Sequence, residues 1–447
     1  MSKFENFKTE LFSAAKKKGF SDWEVYIKQI KSSAVVLAND EVIECSIAET
    51  ADALFRGTFN GKMGCASSQE ITADSVPFLV ESASQNAGIV EDKDITPIFA
   101  GSESYPSVKT YDESIDDYSQ KKQLEIANAL NRSAKKYDKK IQAIDRCCIA
   151  TETGEVYIAN SLGLALSKKS CEALAYVEPR AADESSTKNG YNNVWYGITL
   201  EKFEAEKFGE EAAERAISYL GAKSVKSGRY KVVLDETVAG DFLSTFFSVF
   251  SAKNAQKGFS LLAGKLGETV ASSIVTLRDD ALLDYRSGST PFDGEGVACK
   301  NKTIIENGVF KTFMHSLKTA ANDGVAPTGN GFRDANGQIF IAPTNFYIAE
   351  GTKTLPELFE SAKDGLYITS VQGLHSGANP TSGDFSLSAS GFLIENGKKT
   401  TPVEQITVAG NFFDLLKNII EVGVCTLTKE GISSPPLFIS EINVAGE

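Results

Sequence analysis

The sequence predicts an α+β protein, with helix-plus-antiparallel-sheet domains at the N-terminal end followed by a large β-rich C-terminal domain. Three observations lead there. In roughly the first half of the chain, segments with apolar residues at helical spacing alternate with strand-like runs. From Tyr230 onward the pattern shifts to short apolar runs separated by dense glycine and frequent turns. With 447 residues, 42% hydrophobic and 10% aromatic, the chain can also bury more than one core. The expected divisions are 1–95, 113–222 and 228–447.

The first division opens with Phe4, Phe7, Leu11, Phe12 and Ala15 at helical spacing, stopped by Gly19. The run Lys16, Lys17, Lys18 reads as cations at the negative end of that helix rather than as a nucleic-acid patch. Strand-like runs follow over 24–31, 34–37, 41–47 and 51–59. Asn39-Asp40 and Asn60-Gly61 punctuate them as hairpin turns. A helix is expected over 72–87. The stretch 89–113, with Pro97, Gly101 and Pro106, reads as a linker.

The middle division begins with a Lys-, Ala- and Leu-rich helix over 119–137. Two strands, 141–151 and 155–160, are expected around a turn at Thr153-Gly154, then a strand over 170–177. A polar loop over 181–193 and a helix over 200–220 complete it. In the last division the strand candidates are 230–234, 273–277, 296–300, 303–306, 309–313, 340–342, 366–370, 385–394 and 402–408. Asn307-Gly308 and Asn396-Gly397 mark two hairpins with the shared turn sequence Ile-Glu-Asn-Gly.

Lys plus Arg is 46 and Asp plus Glu is 59, a net charge of -13. That balance repels phosphate backbones and anionic lipid, so direct nucleic-acid binding is not expected. No run approaches the ~18 apolar residues of a membrane span, and the start lacks a secretory pattern, so no membrane role and a cytoplasmic location are expected. Cys45, Cys65, Cys147, Cys148, Cys171, Cys299 and Cys425 form no CxxC pair and read as small thiols in a reducing compartment.

Histidine scarcity constrains the chemistry most. Only His315 and His375 occur, 60 positions apart. A zincin helix needs two imidazoles one turn apart with a glutamate between them, and no such pair exists. Any Ser-His or Cys-His mechanism must use one of these two rings. His375, beside Ser376 and nine positions before Asp384, is the one candidate for a stand-alone hydrolase. A structural or substrate-contacting role suits it better. His315 reads as a core or surface residue. No GxxxxGK[ST] phosphate loop is present.

Four blocks remain. They are Thr290-Pro-Phe-Asp-Gly-Glu-Gly, Gly377-Ala-Asn-Pro-Thr-Ser-Gly-Asp-Phe-Ser, Gly391-Phe-Leu-Ile-Glu-Asn-Gly, and Pro402-Val-Glu-Gln-Ile-Thr-Val-Ala-Gly-Asn. Their glycine and hydroxyl density suits sharp corners, or a cleft where exposed backbone pairs with an extended peptide. Together they resemble the TldD/PmbA family, the older "modulator of DNA gyrase" group, and most closely its PmbA (TldE) branch. The resemblance covers essentially the whole chain.

It implies a zinc metallopeptidase built from two related subunits, in which a TldD-type sibling carries HExxxH on a helix early in the third domain. Here the comparable segment is Ala239-Gly-Asp-Phe-Leu-Ser-Thr-Phe-Phe-Ser-Val-Phe-Ser, with Leu243, Ser244 and Ser248 roughly where His, Glu and His would stand. It holds neither His nor Glu. The implied role is therefore a metal-less partner subunit, shaping a chamber and holding unfolded or extended peptide for a zinc-bearing sibling, with no metal or cofactor of its own. Gly377, Asn379, Gly383, Asp384, Ser386, Gly391, Gly410 and Asn411 are carried over as substrate-contact or subunit-packing positions. The rival expectations are a peptide-binding or regulatory homodimer and the hydrolase using His375. A subunit interface would require an exposed apolar patch on the third domain.

Overall fold

A computed structural model describes residues 4–89, 96–184, 186–190, 193–334, 336–424 and 431–447. Helix α1 (Glu5–Lys18) ends where expected: Gly19 takes the left-handed conformation and its N–H closes onto the Ala15 and Lys16 carbonyls. Strands β1 (Asp22–Ala38), β2 (Glu41–Phe59) and β3 (Lys62–Ser68) form a meander. Its turns, Asn39-Asp40 and Asn60-Gly61, have positive φ at both central residues, which Asn, Asp and Gly tolerate best. Helix α2 (Val76–Ile89) follows. Next come α3 (Gln120–Lys136), β4 (Ile141–Asn160), β5 (Ala165–Ala182), β6 (Thr187–Asn189), β7 (Val194–Gly197) and α4 (Ala205–Ser218).

The segments expected as first and middle domains share one sheet, ordered β3-β2-β1-β4-β5-β6, with β7 also on β5. The join is β1 against β4, paired from Glu24↔Asn160 to Leu37↔Cys147. Two expectations are corrected by it. No turn forms at Thr153-Gly154, because β1 and β5 hold β4 extended through that point from both sides. Gly154 instead permits close approach, since a Cβ there would lie 2.9 Å from Ser170 Oγ. Part of the expected polar loop 181–193 is strand β6, pairing with the end of β5.

One face of this sheet is covered by helices. Phe7, Leu11 and Leu79 pack on Val25, Ile27 and Phe55, while Leu130 and Ala213 pack near Val35, Ile149 and Val177. The opposite face, around Tyr26 and Ile158, meets Phe292 of the C-terminal region. The sheet therefore has two buried faces, which lets charged residues be buried on the second.

The C-terminal region begins with β8 (Gly228–Leu234), α5 (Glu236–Phe246), α6 (Ala252–Gln256), β9 (Leu277–Asp280), β10 (Asn301–Glu306), β11 (Val309–Phe310) and α7 (Leu317–Asp323). It continues with β12 (Gly331–Arg333), β13 (Ile339–Ile341), β14 (Phe346–Ile348), α8 (Leu355–Ala362), β15 (Gly365–Gln372) and α9 (Leu374–Gly377). It ends with β16 (Asp384–Glu395), β17 (Lys398–Asn411), α10 (Phe412–Lys417), β18 (Ile419–Val422), β19 (Ile432–Ser433) and β20 (Leu437–Ala445). The β-rich expectation holds, and both Asn-Gly hairpins form with positive φ at each turn residue. The expected strands 273–277 and 296–300 are displaced: the strands there are β9 and β10, and 292–298 instead closes on itself through a bridge between Phe292 and Ala298.

Strands β8, β15, β16, β17 and β20 pair in a closed ring, because β17 pairs with β20 as well as β16. A second sheet runs β11-β10-β9-β14-β19. Helix α5 packs between them with Phe242 edge-on to Phe385 and Phe246 stacked on Phe412. Among the described residues no helix is long and apolar enough to cross a membrane.

Candidate functional site

Most of the sequence-predicted positions come together at one end of β16 and β17. Asn379 Oδ1 accepts the Thr381 and Ser382 N–H groups, and its own N–H donates to the Asp384 carbonyl. Asn411 Nδ2 donates to Asp384 Oδ1 and the Ser382 carbonyl, while its Oδ1 accepts the Phe413 N–H and caps α10. The Asn411 amide, helped by the Ser382 hydroxyl, holds the Asp384 carboxyl below the usual carboxylate range.

The glycines of the set have packing reasons. A Cβ on Gly377 would sit 2.3 Å from the Ser386 carbonyl, and one on Gly391 would sit 1.9 Å from the Tyr367 carbonyl. Gly410 lies against the Phe385 ring, and Gly383 has positive φ beside Phe413. Of these, Gly391 lies apart from the knot, on the stretch of β16 facing β15. Ser386 faces outward, exposed, with Asp384 and Ser388 along the same face. From Ser388 to Ile394, β16 is paired by β15 and β17 on both sides, so its backbone there is not an open edge.

His375 is exposed on the short helix α9. Ser376 Oγ bonds to the Gly373 carbonyl and Asp384 is engaged by Asn411, and no hydrogen bond joins either residue to His375. His315 is buried; its N–H donates to Thr328 Oγ1, 2.6 Å away. Burial pushes its imidazole pKa down. Of the cysteines, Cys425 lies outside the described residues; Cys45 and Cys65 are exposed, and Cys147, Cys171 and Cys299 are buried.

A second constellation was missed by the sequence reading. On the inner face of the large sheet, Glu24 Oε1 accepts Arg56 Nε at 2.8 Å and also Arg333 Nη2 from β12. Arg333 Nε donates to the Gly294 carbonyl, and its guanidinium lies over the Tyr26 ring. The Asp-Gly-Glu-Gly turn sits under this knot. Asp293 Oδ1 accepts the Glu295 and Val297 N–H groups, and Oδ2 accepts the Gly331 N–H. Glu295 Oε2 accepts the Leu317 N–H. Tyr105 from the linker donates to the Gly296 carbonyl, and Lys168 from β5 to Phe292. The block read as a set of sharp corners is thus the seam that fixes the N-terminal sheet to the C-terminal region. A usable signal was present: two acids flanked by Pro-Phe and Val-Ala-Cys, an apolar context that solvated turns avoid.

Burial pushes the Asp293 carboxyl up to about 7, with the Glu295 charge adding to it against three backbone N–H groups. Burial raises Glu295 as well. A carboxyl raised in the folded state contributes fully below its unfolded pKa and loses that contribution as pH rises through the folded value. The melting temperature of Asp293→Asn relative to the parent chain should therefore climb between about pH 4 and about pH 7 and level off above that. A flat difference across that range would show that the backbone donors, not burial, set this carboxyl.

Helix α5 lies where the resemblance expects metal ligands. Asp235 caps it, accepting the Thr237 N–H and the Tyr367 hydroxyl, the latter at 2.5 Å. Val238, Ala239, Phe242, Leu243 and Phe246 are buried in the core. Leu243 is 2% exposed, Ser244 is exposed, and Ser248 lies on the 3₁₀ turn after the helix.

Three family descriptions match in chain order. The PmbA/TldA metallopeptidase domain 1 matches residues 23–87, the central domain 113–220 and the C-terminal domain 227–446. A metalloprotease of Methanocaldococcus jannaschii is 27% identical over 427 residues, covering 91% of each chain. A metalloprotease PmbA homolog of Haemophilus influenzae is 27% identical over 328 residues, 73% of this chain and 70% of that one. The crystal structure of a Thermotoga maritima protein described as a candidate modulator of a DNA gyrase superposes with a TM-score of 0.91. It is 33% identical and covers 99% of this chain and 100% of its own. A metallopeptidase description implies a metal, and α5 does not fit one: Leu243, Ser244 and Ser248 offer neither imidazole nor carboxylate. Among the described residues no group of three or more His, Cys, Asp or Glu could hold an ion. With matches to all three of its domains in order and a 33% identical structural relative along nearly its full length, this chain belongs to the PmbA/TldD metallopeptidase family.

Proposed function

We propose that this chain is the PmbA/TldE-like, non-catalytic subunit of a cytoplasmic heterodimeric zinc metallopeptidase acting on extended or unfolded peptides. A TldD-type sibling supplies HExxxH, zinc and the water-activating glutamate. The observation that carries the reading is α5, a helix in the place where the resemblance expects metal ligands, which packs Phe242, Leu243 and Phe246 into the core and leaves Ser244 exposed. Such a helix serves to shape and stiffen a chamber. The subunit contact is supported by exposed apolar residues in one stretch of the C-terminal region, with Phe259 and Leu266 each 56% exposed near Leu261 and Ile274. The outward Ser386 and Asp384 face offers hydrogen-bonding side chains toward a bound peptide, on a stretch of β16 that pairs with β17 and bridges to Ala378 but does not pair with β15.

The test is zinc content and cleavage of an unfolded peptide by this chain, by a HExxxH-bearing sibling, and by the two mixed. The mixture should bind zinc stoichiometrically and cleave about ten-fold or more faster than the sibling alone, with this chain inert by itself. Zinc-independent cleavage by this chain alone would overturn the reading. A homodimer that binds peptide without any response to a sibling would replace it.

A further inference from the structure

We propose that the outer edge of β2 over residues 41–52 is a docking site for an extended peptide that alternates lysine or arginine with aliphatic residues. β2 outruns its outer neighbour. β3 pairs with it only from Ala53 to Phe59, whereas β1 pairs with it from Glu41 to Thr58 on the other side. Among the described residues no other strand and no further backbone hydrogen bond reaches 41–52. From Glu41 to Thr50 every residue but Ser46 is exposed, with Val42 at 50% and Ile47 at 61%. A strand edge of this length, with its backbone donors and acceptors turned to water, is the template to which another strand adds.

The side chains say which strand. Opposed residues of an antiparallel pair share a face. Val36 opposes Glu44, and after a shift of register Leu37 opposes Val42 and Ala38 opposes Glu41, so Ile43 is an inserted residue. The insertion places Glu41 and Glu44 together on the face of Ala38 and Val36; without it they would point to opposite faces. Val42, Cys45 and Ile47 lie on the other face, with Leu37, Val35 and Ser33. The edge is thus acidic on one side and apolar on the other. Glu49 and Asp52 stand opposite Lys31 and Lys28, but Glu41 and Glu44 oppose only alanine and valine. Glu44 accepts the Ser46 hydroxyl of its own strand, and neither acid joins an ion pair among the described residues. The stretch 41–52 has no Lys or Arg. A second copy would therefore bring acid to acid, in a chain of net charge -13, so the charges that repel a copy are those that attract a cationic strand. Lysines two apart in the incoming strand meet Glu41 and Glu44, and the aliphatic residues between them meet Val42 and Ile47.

The site belongs to the N-terminal sheet rather than to the β16–β17 end and is tested without a sibling, so its failure would leave the subunit reading standing. Calorimetric titration of the whole chain would compare three acetylated, amidated heptapeptides. They are Thr-Lys-Val-Lys-Val-Lys-Thr, its counterpart with glutamate for lysine, and Lys-Lys-Lys-Val-Val-Thr-Thr, which keeps the composition and loses the alternation. The alternating lysine peptide should bind, and the other two should bind at least about ten-fold more weakly. Its binding should slow hydrogen exchange about ten-fold at the outward amides of 41–52. The paired change Glu41→Lys with Glu44→Lys, at two exposed positions, should leave the melting temperature unchanged and move the preference to the glutamate peptide. No binding of the alternating lysine peptide, equal binding of the scrambled one, or binding that leaves 41–52 unprotected would each overturn the inference. So would a charge-reversed variant that still prefers lysine. Protection of 41–52 that grows with chain concentration and needs no peptide would assign the edge to a second copy instead.

Discussion

Glu24→Ala should destabilise the chain by about 3–5 kcal/mol, more than Arg333→Ala at about 1–3 kcal/mol, although the two residues share one ion pair. The asymmetry follows from the knot's geometry. Glu24 Oε1 serves both Arg56 and Arg333, and Glu24 is 0% exposed. Removing it leaves two guanidiniums on one buried surface, with Glu295 the nearest remaining opposite charge, itself not hydrogen-bonded to Arg56. Removing Arg333 leaves Glu24 paired with Arg56 at 2.8 Å and forfeits one bond to the Gly294 carbonyl and the contact with the Tyr26 ring. Urea unfolding of both variants would measure the order. An equal or reversed cost would mean that Arg333, rather than the shared carboxylate, anchors the sheet to the C-terminal region. The loss should also expose the seam, so proteolysis of Glu24→Ala should begin in the linker near Tyr105, whose hydroxyl is otherwise fastened to Gly296.

How much of this was legible in the sequence depends on how local each cause is. Asn39-Asp40, Asn60-Gly61, Asn307-Gly308 and Asn396-Gly397 announced their hairpins, because positive φ is a property of the two turn residues themselves. Gly19 announced a helix end for the same reason. Alternation along β1 and β4 announced strands but not their pairing, since a period of two assigns faces and says nothing of partners. The two N-terminal divisions therefore read as separate sheets. Helix α5 had a readable signal that went unused: Phe242, Phe246 and Phe250 recur every four residues.

The candidate site divides the same way. Asn379, Gly383, Asp384 and Asn411 were singled out, and they do meet, because three of them fall within one tight turn. What escaped was the buried charge knot. Glu24, Arg56, Glu295 and Arg333 come from β1, β2, a loop and β12, and the three on strands, taken singly, look like ordinary outward charges. Only a sheet covered on both faces turns such residues inward, and that covering is a long-range fact.

Asp279→Ala should be the other severe lesion, at about 3–5 kcal/mol, and it isolates the C-terminal region from the seam. Asp279 lies on β9 at 0% exposure with every side-chain lone pair in demand. Its Oδ2 accepts Lys302 Nζ at 2.9 Å and Asn330 Nδ2 at 2.8 Å, and its Oδ1 accepts the Thr344 N–H and hydroxyl, each at 2.6 Å. Asn330 in turn accepts from Thr328, whose oxygen receives the His315 N–H. Alanine would strand a buried ammonium and release three segments that the carboxylate ties together. Asparagine keeps the shape but turns an amide toward Lys302 and Asn330, donor against donor, so Asp279→Asn should recover only part of the loss. The paired change Asp279→Ala with Lys302→Met should be milder than Asp279→Ala alone by about 1 kcal/mol or more, because it removes the stranded charge with its partner. Thermal melts of these three variants and of Lys302→Met alone decide it. If the double variant is as damaged as the sum of its parts, the cost lies in Thr344 and Asn330 rather than in the ion pair, and the buried charge is incidental to how this region holds its loops.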